Sequence, residues 1–322
     1  MNRRDFVILG AAALALPFAA HAQGKTPVIG LLWNDSLKPS PHVATLLGAL
    51  REKGYADGRN IRIEDQVALE GYGPMGENAA ALVRAKVDLI VTYGATATFA
   101  AAKATREIPI VMIIGADPVA RGLAASLSRP GGNVTGITTL TGGLIGKRIE
   151  LLKELVPGLS RVGILLTPNI GNPIEARESE AAARALKLQP YFDEVHAPGD
   201  IERAIAGLAK SRVGAIYMSG STMLASHAAR VAAIVAKNRI PAVYANERFV
   251  DAGGLMVYSG STKKNFVRVA DYVDPILKGA RAGDLPIEQT SDVELVINLK
   301  TAKALGIKIP QSILQRADRA ID

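Results

Sequence analysis

The sequence contains no cysteine and few aromatic residues. Among its 322 residues there is a single Trp, and Phe, Trp and Tyr together make up 5% of the chain. The lack of cysteine excludes disulfides, Cys-ligated zinc, iron–sulfur clusters and thiol nucleophiles from this chain. Hydrophobic residues make up 48% and charged residues 21%, which is typical of a globular protein and excludes disorder. We therefore predict an aliphatic, Ala-rich core.

The excess of positive charge is small. The chain has 38 Lys and Arg against 30 Asp and Glu, a net charge of +8. The basic residues are scattered among acidic ones, without a run of five or more and without interleaved aromatic residues. Nucleic-acid binding needs a clustered basic surface. The pattern therefore predicts no nucleic-acid partner.

Catalytic and cofactor motifs are also scarce. The chain has four His, none at metal-ligand spacing from another, and no GxSxG or HExxH motif. Residues 71–76 fit GxGxxG, but they follow the second predicted strand, and Asp88 begins a strand where the dinucleotide fingerprint needs an acid at a strand end. Residues 142–147 are one residue short of a P-loop, and Arg148 stands where Ser or Thr must bind magnesium. We predict no enzyme, no metal and no cofactor.

Residues 1–22 have the pattern of a signal peptide. Arg3 and Arg4 precede an apolar stretch over 6–20, and small residues follow at 20 and 22. The stretch is shorter than the roughly 20 residues that span a membrane. The arginine pair also resembles the twin-arginine export signal, so the general and twin-arginine routes both stay open. We predict cleavage after Ala22 and a periplasmic product.

The chain beyond the leader alternates short aliphatic runs with Ala-rich segments of helical period, which predicts an α/β fold with mainly parallel sheets. Three segments recur in order at nearly constant separation, although short aliphatic words can recur by chance in any parallel sheet. The pairs are 29–32 with 162–165, 87–96 with 213–222, and 108–111 with 240–243. We predict two similar lobes rather than one large sheet. The predicted strands are 28–33, 61–67, 88–92, 110–114 and 134–138 in the first half, and 162–166, 190–195, 215–218, 242–244 and 255–258 in the second.

The middle repeat predicts a binding site. In each copy a strand runs into a Gly, a small residue and a Thr, and a helix follows; these residues are Gly94, Ala95, Thr96, Gly220, Ser221 and Thr222. Free amide N–H groups and a hydroxyl at a helix start suit a carboxylate. The alternative is that Thr96 and Thr222 only cap their helices. Ligands of open α/β sheets bind beyond the carboxyl ends of the strands, so we expect both copies to face one cleft.

Other polar and aromatic residues follow predicted strands. Trp33 and Tyr93 are candidate apolar walls of the cleft, although Trp33 could equally lie in the core. Asp117 is a candidate partner for a ligand ammonium, or an N-cap before Pro118. The further candidates, each of which could instead cap a helix, are Asn34, Ser36, Asn169, Ser219, Asn246 and Tyr258.

Six segments resemble the family of ABC transporter substrate-binding proteins, and the resemblance covers essentially the whole chain after the leader. They are 108–111 (IPIV), 115–119 (GADPV), 128–136 (SRPGGNVTG), 147–157 (KRIELLKELVP), 251–256 (DAGGLM) and 272–306. The resemblance implies the type I periplasmic binding protein fold, with two Rossmann-like lobes joined by three crossovers and closing around a ligand. Some members look like tryptophan or phenylalanine receptors.

The resemblance also implies a domain plan and a function. The first lobe is expected over 23–140 and about 255–286, and the second over 141–254 and about 287–322. We expect a monomeric extracytoplasmic solute-binding protein that captures a small carboxylate ligand, an amino acid or aromatic acid, and delivers it to an ABC permease in the inner membrane. Two alternatives stay open: a periplasmic sensor that presents its ligand to a receptor kinase, and, from another class, a Rossmann-type enzyme.

Overall fold

A computed structural model describes residues 25–35, 40–66, 68–69, 74–139, 142–167, 172–290 and 292–322. The leader, Ser36, Asn169 and residues 71–73 of the Gly-rich turn lie outside these ranges. The strands are β1 (Val28–Leu32), β2 (Asn34–Asp35), β3 (Arg62–Asp65), β4 (Ala68–Leu69), β5 (Leu89–Tyr93), β6 (Ile110–Ile114), β7 (Val134–Thr138), β8 (Arg161–Leu166), β9 (Gln189–Glu194), β10 (Ala215–Met218), β11 (Ala242–Tyr244), β12 (Met256–Gly260), β13 (Glu288–Gln289), β14 (Val293–Asn298) and β15 (Arg319–Ile321).

Twelve α-helices in the described ranges lie between these strands or follow them. They are α1 (Pro41–Glu52), α2 (Met75–Arg84), α3 (Ala95–Ala104), α4 (Gly142–Leu155), α5 (Asn172–Ala185), α6 (Ile201–Lys210), α7 (Thr222–Ser226), α8 (Ala228–Lys237), α9 (Arg248–Asp251), α10 (Thr262–Leu277), α11 (Leu299–Leu305) and α12 (Gln311–Leu314). Two short 3-10 turns lie at Pro198–Asp200 and Ala282–Asp284. Within the described ranges, we find no helix that combines the length and apolar character of a membrane span.

The strands form two sheets with the same internal order. The first sheet runs β13-β7-β6-β5-β1-β3 and the second β15-β14-β12-β11-β10-β8-β9, with β2 and β4 as a separate short pair. All neighbours within the two sheets are parallel except β12 and β14, which pair antiparallel. The order β3-β1-β5-β6-β7 is repeated as β9-β8-β10-β11-β12. The α/β class, the parallel sheets and the two-lobed repeat are therefore confirmed.

Central strands are buried along their whole length and mainly apolar, because helices cover both faces of each sheet. β1, β6 and β7 are buried at every residue. Such continuous apolar runs are easy to recognise, and β6, β7, β10 and β11 have the predicted bounds. β13 and β15 are short and partly polar, Glu-Gln and Arg-Ala-Ile, and no periodic signal marks them.

The chain crosses between the sheets three times. The crossings fall between β7 and α4, between β12 and α10, and between β13 and β14. Phe266 and Val273 of α10 pack in the core of the first lobe, whereas β12 pairs with β11 of the second. The exchange points after Gly260 and after Gln289 are thus a few residues later than the expected 255 and 287. The last exchange point is later because β13 pairs with β7 of the first sheet. That pairing joins segments that are distant in the sequence.

Candidate functional site

The carboxyl ends of the strands in both sheets border one cavity of about 600 Å³. The first lobe lines it with the residues that follow β5 and β6, and the second with those that follow β10 and β11. Helices α4, α5 and α10 add side chains near the crossings. The cavity therefore lies where open parallel sheets bind their ligands.

Eight predicted site residues line this cavity from the two lobes. They are Tyr93, Gly94, Ala95, Thr96 and Asp117 from the first lobe and Ser221, Thr222 and Asn246 from the second. The two copies of the repeat meet: a Cβ built on Gly94 would lie 2.9 Å from Cγ2 of Thr222. The repeat thus places both copies at the same cavity.

Neither Thr96 nor Thr222 has the capping role that was the alternative to ligand binding. Gly94 is the N-cap of α3, with φ of +88° and no side-chain cap, so Thr96 is the second helical residue. Ser221 is the N-cap of α7, and its Oγ accepts a hydrogen bond from the amide of Leu224 at 3.2 Å. Neither Thr is an N-cap, and both border the cavity.

The lobes contact each other beside the cavity. Nδ2 of Asn246, after β11, donates to Oη of Tyr93, at the end of β5, at 3.2 Å. Nη2 of Arg248 lies 2.9 Å from Nε2 of His42 on α1. Burial raises the pKa of Tyr93 above its ordinary value, so its hydroxyl stays protonated. These bonds join the lobes at the position predicted for ligand contacts.

Trp33 is a correction to the predicted cleft wall. Its side chain is fully buried in the core of the first lobe and packs edge-to-face on Phe266 of α10, with ring centroids 5.5 Å apart. Phe266 in turn stacks on His42 and contacts Tyr93. Trp33 is therefore separated from the cavity by another ring. Phe266 belongs to α10, which is far from Trp33 in the sequence. Burial of the Trp33 ring therefore depends on a distant segment of the chain.

Two more predicted contacts lie away from the cavity lining. Ser219 is buried, with 1% of its surface exposed, and its Oγ has no hydrogen-bond partner in the described part of the chain. The side chain of Tyr258 packs against the core of the second lobe, and its carbonyl accepts a hydrogen bond.

Asn34 pairs through its backbone with Ala68 in the β2–β4 ladder. Its strand contacts α7.

Asp117 caps a turn and also borders the cavity. Its Oδ1 accepts hydrogen bonds from the amides of Val119 and Ala120, at 2.8 and 3.1 Å, which caps the turn after β6. The residue also borders the cavity. An Asp whose first oxygen is used by the backbone can still present its second oxygen to a ligand.

Sequence reasoning missed the charged residues that α4 and α5 bring to the cavity. Arg148 is 2% exposed, and its Nε donates to the carbonyl of Tyr258 at 2.7 Å. Glu175 accepts a hydrogen bond from Oη of Tyr217 at 2.6 Å, and burial raises the pKa of Glu175. A usable signal was present: Arg148 lies between Ile145 and Leu152 on the apolar side of its helix, where a charge needs a partner.

The lining is mixed in charge and partly apolar. Arg121, like Arg148, has a buried guanidinium nitrogen without a hydrogen-bond partner in the described ranges. Acidic groups at Asp117 and Glu175 border the same space. Aliphatic side chains complete it: Ile113, Ile114, Leu144 and Ile174. This combination can hold a small molecule that carries charge at one end and apolar surface at the other.

Comparison with known proteins gives a consistent result. The chain is 29% identical over 261 residues to a tyrosine-binding protein of Clostridioides difficile. The aligned region covers 81% of this chain and 75% of that protein. Two crystal structures superpose on 92% of this chain and 100% of theirs, each at 26% identity. One is a conserved domain protein of Vibrio cholerae, with a TM-score of 0.83. The other is an ABC domain from Streptococcus pneumonia in complex with L-Trp, with a TM-score of 0.82.

The family model described as ABC transporter substrate binding protein matches residues 27–321. That range contains both sheets, the three crossings and every described residue of the cavity. The family is one of solute-binding proteins rather than enzymes. The chain therefore belongs to the ABC transporter substrate-binding protein family.

Proposed function

We propose that this protein is the extracytoplasmic receptor of an ABC importer, and that it captures a small carboxylate-bearing ligand between its lobes. The observation that carries the proposal is the cavity of about 600 Å³ at the strand ends of both sheets, lined from both lobes. Its volume lies within the range of small-molecule sites. Site residues from both lobes let one ligand hold the lobes together.

An amino acid with an apolar, aromatic side chain is the proposed ligand. The cavity has basic groups for a carboxylate, acidic groups for an ammonium and aliphatic walls. The relatives named for tyrosine and solved with L-Trp support the same class. Tyr93 offers an aromatic edge within this lining, and Thr96 and Thr222 offer hydroxyls from opposite lobes.

Ligand capture is proposed to couple to transport through the lobe contacts. A ligand that touches both lobes stabilises the arrangement in which Asn246 bonds to Tyr93. A permease in the inner membrane then recognises the joined surfaces of the two lobes and receives the ligand when they separate. The predicted periplasmic location and the monomeric state belong to this proposal.

A thermal-shift screen of the mature protein, from Gln23 onward, tests the proposal. The panel contains amino acids, aromatic acids, dicarboxylates, sugars and nucleotides. A ligand at 100 times its dissociation constant stabilises the fold by about 2.7 kcal/mol. We expect a shift with one carboxylate class that is reduced in Thr96→Val and Thr222→Val variants. A shift with nucleotides alone would overturn the proposal. Trp33 fluorescence is a poor reporter here because Phe266 separates it from the cavity.

A further inference from the structure

Arg148 is a buried cation with an unused hydrogen-bond donor. Its Nε is held by the carbonyl of Tyr258 at 2.7 Å, and its guanidinium lies 6.0 Å from the ring centroid of Tyr217. Nη1 has no hydrogen-bond partner among the residues that the structure describes. Buried charged donors are rarely left unpaired, because water can no longer satisfy them. Since Arg148 borders the cavity, an anionic group there would supply the missing partner.

Glu175 borders the same cavity and is held by the same tyrosine. The hydroxyl of Tyr217 donates to its Oε1 at 2.6 Å. The ring of Tyr217 thus faces the Arg148 guanidinium and its hydroxyl bonds to the Glu175 carboxylate, so one tyrosine holds opposite charges beside the cavity. Burial raises the pKa of Glu175, whereas the hydrogen bond from Tyr217 and the nearby charge of Arg148 act in the opposite direction.

We propose that Arg148 and Glu175 form the head-group subsite for an α-amino acid. Nη1 of Arg148 donates to the ligand carboxylate, and Glu175 accepts from the ligand ammonium. The carboxylate and ammonium of an α-amino acid are attached to one carbon, so they require opposite protein charges side by side. This inference rests on the proposed function and narrows its ligand to a zwitterion, which excludes simple aromatic acids.

The assignment also sets the direction of the ligand. Arg148 and Glu175 belong to α4 and α5, which pack against the second lobe. Ile113 and Ile114 line the cavity from the first lobe. A head group held by the second lobe leaves the ligand side chain against these apolar residues, and an apolar side chain fits them. The hydroxyls of Thr96 and Thr222 then make secondary contacts.

Ligand analogues test the head-group subsite without any substitution. Calorimetric titration of the full mature protein would use L-phenylalanine, L-tyrosine, L-tryptophan and L-leucine. Each is compared with its analogue that lacks the ammonium, such as 3-phenylpropionate, and its analogue that lacks the carboxylate, such as phenethylamine. We expect the tightest amino acid to bind at least about 30-fold more tightly than either analogue, because each analogue leaves a buried charge unpaired.

Substitutions assign the two charges. We expect Arg148→Lys to weaken binding of the amino acid about 100-fold and to leave the analogue without carboxylate unaffected. Glu175→Gln should weaken the amino acid at least about 10-fold and leave the analogue without ammonium unaffected. Arg184→Lys and Glu180→Gln are matched controls, since these residues pair with each other on the exposed side of α5. The controls should stay within about three-fold of the unsubstituted protein.

The outcomes separate this inference from the proposed function. If the unsubstituted protein binds no amino acid and no carboxylate, both are wrong. If it binds an amino acid and the analogue without ammonium equally, or if both substituted proteins bind as the controls do, only the head-group subsite is wrong. Should a substituted protein fail to fold by circular dichroism, the analogue series decides.

Discussion

Each lobe packs its first strand against the helix that comes after its edge strand, β3 or β9, and does so in the same way. A Cβ on Gly30 of β1 would lie 3.0 Å from Leu82 of α2, and one on Gly163 of β8 would lie 3.1 Å from Leu208 of α6. Gly30 and Gly163 occupy equivalent positions in the repeat. The close approach of helix to sheet leaves little room for a side chain at either one. Packing against the sheet therefore keeps the copies alike.

The lobes differ at the ends of β5 and β10, where they meet the cavity. Gly94 has φ of +88° and no capping side chain after it, whereas the equivalent Gly220 has no positive φ and is followed by the N-cap Ser221. The charges bound to Tyr217 also lie on one side, since Arg148 and Glu175 both belong to helices of the second lobe. The two copies of the repeat therefore differ at the cavity, where the chemistry of the site rather than packing against the sheet determines which residue is present.

The largest expected effect is a difference in stability between substitutions at the equivalent positions Gly94 and Gly220. The φ and ψ of Gly94, 88° and 158°, lie in a region that only Gly adopts readily. We expect Gly94→Ala to lower the free energy of unfolding by about 1–3 kcal/mol. Gly220→Ala, whose new Cβ would meet Ala245 at an ordinary 3.6 Å, should change it by less than about 0.5 kcal/mol. Urea denaturation measures both.

A second control separates strain from contact between the lobes. The Cβ of Gly94→Ala would also press on Cγ2 of Thr222, so ligand affinity should fall as well. Adding Thr222→Ser removes that methyl group and should restore affinity without restoring stability. Equal stability losses in Gly94→Ala and Gly220→Ala would contradict the difference between the lobes.

A smaller effect tests the two helix starts. Ser221→Ala removes the oxygen that accepts from the amide of Leu224, and we expect a loss of about 1 kcal/mol in the free energy of unfolding. Thr96→Ala in the first lobe removes no cap and should cost less than about 0.5 kcal/mol. Chemical denaturation of both proteins gives the comparison. If Thr96→Ala proves the more destabilising change, the assignment of the caps is wrong.

The smallest effect concerns the bond between the lobes. Tyr93→Phe removes the hydroxyl that accepts from Nδ2 of Asn246, and we expect ligand affinity to fall about two- to five-fold, because a hydrogen bond contributes roughly 1 kcal/mol. Asn246→Ala should have a similar effect. The double variant should be no weaker than the worse single variant, as calorimetric titration can show. Fully additive losses would mean that the two residues act independently.

Local patterns were sufficient for the central strands of both sheets and for part of the site. Continuous aliphatic runs predicted the central strands, because a strand covered on both faces must be apolar throughout. The rule that ligands bind at the carboxyl ends of strands predicted that Thr96 and Thr222 face one cavity, and both border it although they are 126 residues apart. No local signal could place Trp33, since α10 rather than β1 decides whether its ring meets ligand or core.

The sequence alone determined the cysteine-free α/β chain with an internal repeat and the strand ends that line the cavity, because composition and periodicity are local properties. Tertiary structure decided which polar residues face the cavity. It buried Trp33 under Phe266, and it brought Arg148 and Glu175 to the two sides of Tyr217. The physical reason is that burial and charge pairing depend on how helices from distant segments pack on each sheet, and no single segment contains that information.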